Sequence, residues 1–270
     1  MHVIRRRAAI LGGLALSTFA LSTFALSVLA AVSAGAAELR VVSSGGFAAA
    51  YRALAPRFEG RTGLTLVSSW GPSMGSTANA VPQRLARHEP IDVVIMVGSA
   101  LDDLVRQGQV VPDSRQDLAR SLIGAAVRRG APRPDIGTAD GLRSALLAAK
   151  SVVYSDSASG VYIQSELFAR LGIADRMAGK ARMIPAEPVG EVVARGEADL
   201  GFQQISELKP VPGIDLLGPI PDAVQQATVF SAGIVASSPN RSAARALIDY
   251  LASEDAATAV RESGLEPLGR

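Results

Sequence analysis

Short runs of aliphatic residues alternate along this chain with stretches in which apolar residues return every three or four positions. Leu39-Arg40-Val41-Val42 is the first such run, and it stops at Ser43-Ser44-Gly45-Gly46. Phe47, Tyr51, Leu54 and Phe58 then recur at helical spacing. The same order of strand, turn and helix is predicted for 64–69, the loop Gly71-Pro72-Ser73-Met74-Gly75, and a helix running through Leu85. Residues 91–97 are apolar apart from Asp92, as expected of a strand covered on both faces. A short amphipathic helix over 101–107 ends at Gly108, and 123–128 is the next strand. Beyond a Pro/Gly-rich stretch, 139–149 reads as helix and 151–154 as strand. Ser155-Asp156-Ser157-Ala158-Ser159-Gly160 then leads into a helix over 161–171. The pattern continues with a helix at 189–195, strands at 200–203, 216–217 and 228–236, and helices at 242–251 and 255–263. Strands alternating with helices predict an α/β class with mainly parallel sheets, and the length suits two lobes rather than one.

The N-terminus stands apart. Arg5, Arg6 and Arg7 precede an uncharged apolar run over 8–32, and Ala34-Gly35-Ala36-Ala37 offers a small-residue cleavage site. Residues 1–37 therefore read as a secretory signal and the mature protein as periplasmic. A retained membrane anchor and export by the twin-arginine route are the alternatives. The doubled Leu-Ser-Thr-Phe-Ala at 16–20 and 21–25 belongs to this segment rather than to a repeat fold. Without its three arginines, 24 basic side chains face 25 acidic ones, so the formal charge of +2 becomes −1.

Composition removes several chemistries. The chain has no cysteine, which excludes disulfides and thiolate sites, and beyond residue 37 it has only one histidine, His88. No metal is expected, and His88 reads as a cation at a helix end. Aromatics make up 4% and no basic stripe interleaves with them, so nucleic acid is not an expected partner. Neither a P-loop nor a dinucleotide glycine motif is present, and no cofactor is expected. Ser157 has no histidine partner in the pattern and no Gly-x-Ser-x-Gly elbow, which argues against a hydrolase.

Three loops share one design: an apolar strand, then Ser and Gly, then a helix. They hold Ser44, Gly45 and Gly46; Ser73, Met74 and Gly75; and Ser157, Ser159 and Gly160. Unpaired N–H groups and the positive dipole end make a helix start an anion site, and serine hydroxyls add donors. Such residues also cap helices with no ligand involved. What favours a site is that ligands of open α/β sheets bind at the strand C-termini, where three such loops could meet. Ala186-Glu187-Pro188-Val189-Gly190-Glu191 is a fourth loop, and Gln203-Gln204 closes the strand after it. Glu187 is either a surface carboxylate at a helix start or a proton acceptor in the cleft. The two glutamines offer donors and acceptors, or are merely solvated.

These segments resemble the molybdate-binding branch of periplasmic solute-binding proteins, from Leu39 to about Leu268. The resemblance implies a two-lobed type II binding-protein fold, with lobe 1 at 38–119 plus 228–270 and lobe 2 at 120–227. It also implies a small anionic ligand, hinge closure around it, and an ABC permease as possible partner. Ser73 and Ser159 fall where that branch offers ligand donors. Gly46 stands where it usually has a serine, and Gln204 where it usually has a tyrosine. Gly71-Pro72-Ser73-Met74-Gly75, the stretch Tyr154 to Tyr162, and Met183 to Glu191 through Gly201-Phe202-Gln203-Gln204 are similar to the aconitate isomerases of pseudomonads built on this fold. That similarity implies interconversion of cis- and trans-aconitate by allylic proton transfer. The serine–glycine loops would then serve as a carboxylate clamp, with Glu187, Tyr162 or Tyr154 as acid/base. The alternative function is the receptor of an ABC importer for an oxyanion or polycarboxylate, which needs no base.

Overall fold

A computed structural model describes residues 38–269, and the expected signal segment lies outside them. The chain opens with β1 (Glu38–Ser43), α1 (Gly45–Thr62), β2 (Thr65–Trp70), α2 (Val81–Ala86), β3 (Val93–Val97), α3 (Gly98–Arg106) and β4 (Gln116–Ser121). After Leu122 alone, it continues with β5 (Ile123–Arg128), α4 (Ala139–Ala148), β6 (Val152–Ser155) and α5 (Ala158–Tyr162). A π turn at Ile163–Leu167 leads to α6 (Phe168–Arg170) and α7 (Ala174–Met177). Then come β7 (Ala181–Ile184), α8 (Val189–Ala194), β8 (Leu200–Gln204), α9 (Ile205–Leu208) and β9 (Ile214–Pro219). The chain closes with β10 (Thr228–Ile234), α10 (Arg241–Leu251), α11 (Glu254–Glu262) and β11 (Glu266–Pro267).

Two sheets result, in strand orders β11-β4-β10-β3-β1-β2 and β7-β6-β8-β5-β9. This is the expected two-lobed α/β architecture, but the sheets are mixed rather than mainly parallel. β1, β2 and β3 run parallel, as do β6, β7 and β8, because helices return the chain to the same end each time. β4 and β10 run antiparallel to their neighbours in the first sheet, and β5 in the second. β10 lies between β3 and β4 and runs against both, so β4 shares the direction of β1–β3, while β5, which follows β4 directly, runs against β8 and β9.

Each sheet is packed on both faces. Phe47, Tyr51, Leu54 and Phe58 of α1 are buried with Leu247, Ile248 and Leu251 of α10 on one face of the first sheet. Leu85, Leu101 and Leu104 cover the other face, where Val94 and Met96 of β3 point. In the second sheet Leu142, Ile163 and Phe168 cover Phe202 of β8, while Val189, Val192 and Val193 of α8 cover Val153. Burying one such side chain contributes roughly 1.5–3 kcal/mol, which fixes the strands firmly and leaves their C-terminal loops as the variable part.

Two details of the pattern differ from expectation. The second loop does not pass straight into a helix, because α2 starts only at Val81. The helix expected from 161 already begins at Ala158, directly above the end of β6.

Candidate functional site

The C-terminal ends of β1, β2, β3, β6, β7 and β8 meet at one cleft of about 330 Å³, lined by residues of both lobes. Its walls carry Ser44, Gly45, Gly46, Ser73 and Met74 from one sheet and Ser157, Glu187, Gln203 and Gln204 from the other. Most of the expected clamp therefore shares one space.

Ser44 is the N-cap of the 18-residue α1, yet its side chain makes no capping bond. Its backbone N–H is held by the Ile95 carbonyl at 2.8 Å, and its buried Oγ has no partner among the described residues. A buried hydroxyl without a partner carries a desolvation cost that a ligand oxygen would relieve. Gly45, Gly46 and Phe47 follow with helix-start N–H groups, the usual setting for an anion. Gly46 has a second role: a side chain there would collide with the ring of Phe230, which also lines the cleft. The ring fills the space that any side chain at 46 would need.

Ser73 accepts the Val97 N–H at 2.9 Å, which leaves its own hydroxyl proton to donate. Across the cleft the hydroxyls of Ser155, Ser157 and Ser159 form a cluster with spacings of 2.7 to 3.2 Å. Gly160 is a packing residue rather than a wall, since any side chain would strike the Ser155 carbonyl. Ser159 lines a neighbouring cavity with Arg115, and Gly75, at φ +101°, lines neither.

The tyrosines are placed elsewhere. Tyr154 and Tyr162 are buried in the core of the second lobe, outside the cleft wall. Tyr162 donates to the Val224 carbonyl at 2.6 Å and accepts from Arg170, while Tyr154 stacks edge-on with Phe168. Burial pushes the Tyr154 phenol up. Both rings serve packing because their strand and helix turn them inward. His88 sits exposed after α2 with φ +56°, also outside the cleft.

Glu187 does reach the cleft, at its rim. Its carboxylate pairs with Arg195 at 2.6 Å, and Arg195 also binds Glu197 at 2.6 Å. The loop is held by Asp156, whose carboxylate accepts the N–H of Ala186 at 3.0 Å. Ala186 has φ +56°, a left-handed conformation that a residue with a Cβ adopts only when its surroundings enforce it.

The two glutamines divide their work. Gln203 accepts the Val189 N–H at 3.0 Å and starts α8. Gln204 accepts from Ser121 at 2.6 Å and donates to Thr228 at 3.1 Å. These partners stand at the end of β4 and the start of β10, so Gln204 ties the lobe-crossing strands together.

One lining residue was not foreseen. Glu207, on α9, turns its carboxyl toward the start of α1, where a side chain at Gly45 would collide with it. Desolvation raises its pKa to about 7, the Gln203 side chain opposes that shift, and Asp156 adds to it. The next residue back, Ser206, donates to the Gly46 carbonyl at 2.7 Å and docks α9 on α1. Among the described residues no lysine or arginine lines the cleft. Among the described residues no three His, Asp or Glu side chains gather where an ion could sit.

The model of bacterial extracellular solute-binding proteins matches residues 39–266. The chain belongs to that family. This solute-binding protein is 57% identical over 230 residues to an aconitate isomerase from a Pseudomonas species, covering 85% of this chain and 88% of that one. It is 25% identical over 248 residues to the molybdate-binding protein of Azotobacter vinelandii, covering 87% and 92%. The solved structure of the periplasmic molybdate-binding protein of Azotobacter vinelandii superposes with a TM-score of 0.69 at 21% identity, covering 84% of this chain and 98% of that one. A sulfate-binding protein from Mycobacterium tuberculosis gives 0.65 at 18%, covering 86% and 87%. The structural likenesses establish the fold, and the 57% relative adds an enzyme to its nearby members.

Proposed function

We propose that this solute-binding protein is a periplasmic isomerase that interconverts cis- and trans-aconitate. The observation that carries the reading is its 57% identity, over most of both chains, to an aconitate isomerase. The cleft's chemistry supports it. Ser44, Gly45, Gly46, Ser73 and Ser157 offer hydroxyls and backbone N–H groups to carboxylate oxygens. Such neutral donors at helix starts hold anions without a guanidinium and can meet charge that develops on a carboxylate during proton abstraction. Lobe 1 at 38–119 plus 228–270 and lobe 2 at 120–227 would close on the acid. Residues 1–37 would direct export and be removed.

The test is to mix the purified protein separately with cis- and trans-aconitate, follow both acids by chromatography, and titrate each in a thermal-shift assay. Conversion in both directions is the expected result. Stabilisation by an acid that stays unchanged would favour a receptor that delivers it to an ABC permease. No response to either acid would remove aconitate as the ligand.

A further inference from the structure

We infer that Glu207, rather than the rim carboxylate Glu187, is the base that carries the migrating proton. The inference rests on the isomerase reading and assigns its central step. Three carboxylates line the cleft, and two are already engaged: Asp156 accepts the Ala186 N–H, and Glu187 is paired with Arg195. Like Asp156, Glu207 has no ion pair among the described residues, and its polar partner is the neutral Gln203 amide rather than a guanidinium or a loop N–H. It faces the N-terminal turn of α1, beside the unpartnered Ser44 hydroxyl at the start of that helix. A substrate carboxylate held there would bring its neighbouring carbon toward this side chain.

The surroundings suit a base that works near neutral pH. Glu207 titrates at about 7, raised first by burial, so both of its forms are accessible. The groups around it are few. Gly45 and Gly46 meet it from α1 with backbone alone, β8 presents the Gln203 amide, and Asp156 is the charge that bears on it from the β6 loop. On the α8 side Arg195 is shared between Glu187 and Glu197, and beyond α9 Lys209 donates to the Glu262 carbonyl at 2.6 Å.

The step balances without a co-reactant. The Glu207 carboxylate takes a proton from the methylene carbon, and the electron pair of that C–H bond spreads over the three-carbon unit and its carboxylates. The same proton then bonds to the former vinyl carbon, the double bond moves one position, and the carboxylate is restored. In the allylic anion the two ends of this acid have the same constitution and differ only in configuration. Whether the product is cis or trans is therefore set by the rotamer in which the clamp holds the methylene arm.

The experiment compares the full-length wild type with Glu207→Gln, Glu207→Asp and Glu187→Gln. Turnover is measured from pH 5 to 9, and affinity for trans-aconitate by calorimetry. Glu207→Gln should lower kcat by about 10³-fold or more while binding stays within tenfold, and Glu207→Asp should recover part of the rate. Wild-type kcat/KM should fall as pH drops below about 7, where the base is protonated. Any residual rate of Glu207→Gln should lack that limb. Glu187→Gln should keep most of the turnover and the same limb. A Glu207→Gln protein that turns over within tenfold of wild type overturns the assignment. So does loss of the limb in Glu187→Gln. A wild type that binds both acids and converts neither removes the isomerase reading, and the base with it.

Discussion

Two carboxylates stand on one wall of this cleft about twenty residues apart in sequence, and their surroundings differ in almost every respect. Glu187 lies on a strained loop at the rim, half exposed and shared with a guanidinium that also binds Glu197. Glu207 lies on a single helical turn pressed against the start of α1, where desolvation keeps its proton on to about pH 7. An ion-paired rim carboxylate positions its loop. A desolvated one can change its charge during a reaction.

The largest effect that would sharpen this contrast is on stability. An unfolded glutamate ionises near 4.5, whereas Glu207 in the native state holds its proton to about 7. The native state is thus favoured by this group below about 4.5 and loses that advantage as pH rises through 7. The shift corresponds to on the order of 3 kcal/mol. Glu207→Gln should therefore be more stable than wild type at pH 8 by that order, with the gap closing toward pH 4.5, as read from denaturant melts across pH. A variant no more stable at pH 8 would mean that the carboxyl is better hydrated than its place against Gly45 suggests.

Next in size is Gly45→Ala. Its methyl would push the Glu207 carboxyl aside, and because that group is the free end of a flexible chain, folding should suffer little. Turnover should fall tens of fold, since displacement by about 1 Å can cost 10²-fold. Ser44→Ala comes third: aconitate affinity should weaken by about tenfold, the worth of one buried hydrogen bond to an anion, with melting temperature unchanged or raised. Smallest is Glu187→Gln, which breaks a solvent-screened ion pair and should leave the melting temperature close to that of the wild type.

The same contrast explains what could be read from sequence. The three serine–glycine loops were legible because each follows an apolar strand, and most of their residues do meet in the cleft. Glu187 stood out because it opens a helix beside such a loop. Glu207 gave no local sign: Ser206-Glu207-Leu208-Lys209 reads as a solvated turn, and only the docking of α9 on Gly46 dries the carboxyl. The clue available was indirect, two glycines at the start of α1, one of which leaves room for that group. Tyr154 and Tyr162 misled because adjacency to a serine loop says nothing about which face of a strand or helix turns inward. β4 escaped notice because Gln116-Asp117-Leu118-Ala119-Arg120-Ser121 is largely polar, and its place in the sheet comes from β10 and β11 on either side. The sheets are mixed because β10 runs against β3 and β4 in the first and β5 runs against β8 and β9 in the second.

The fit of Phe230 over Gly46 constrains how such a cleft could change over generations. A serine arriving at 46 while the ring remains would meet a clash, and a small residue arriving at 230 while glycine remains would leave a hole in the wall. Either substitution alone is a step down, and only the pair restores a filled surface. Descent between a hydroxyl-lined cleft and a ring-lined one therefore runs through an unfavourable intermediate, and the two positions are expected to change together among relatives.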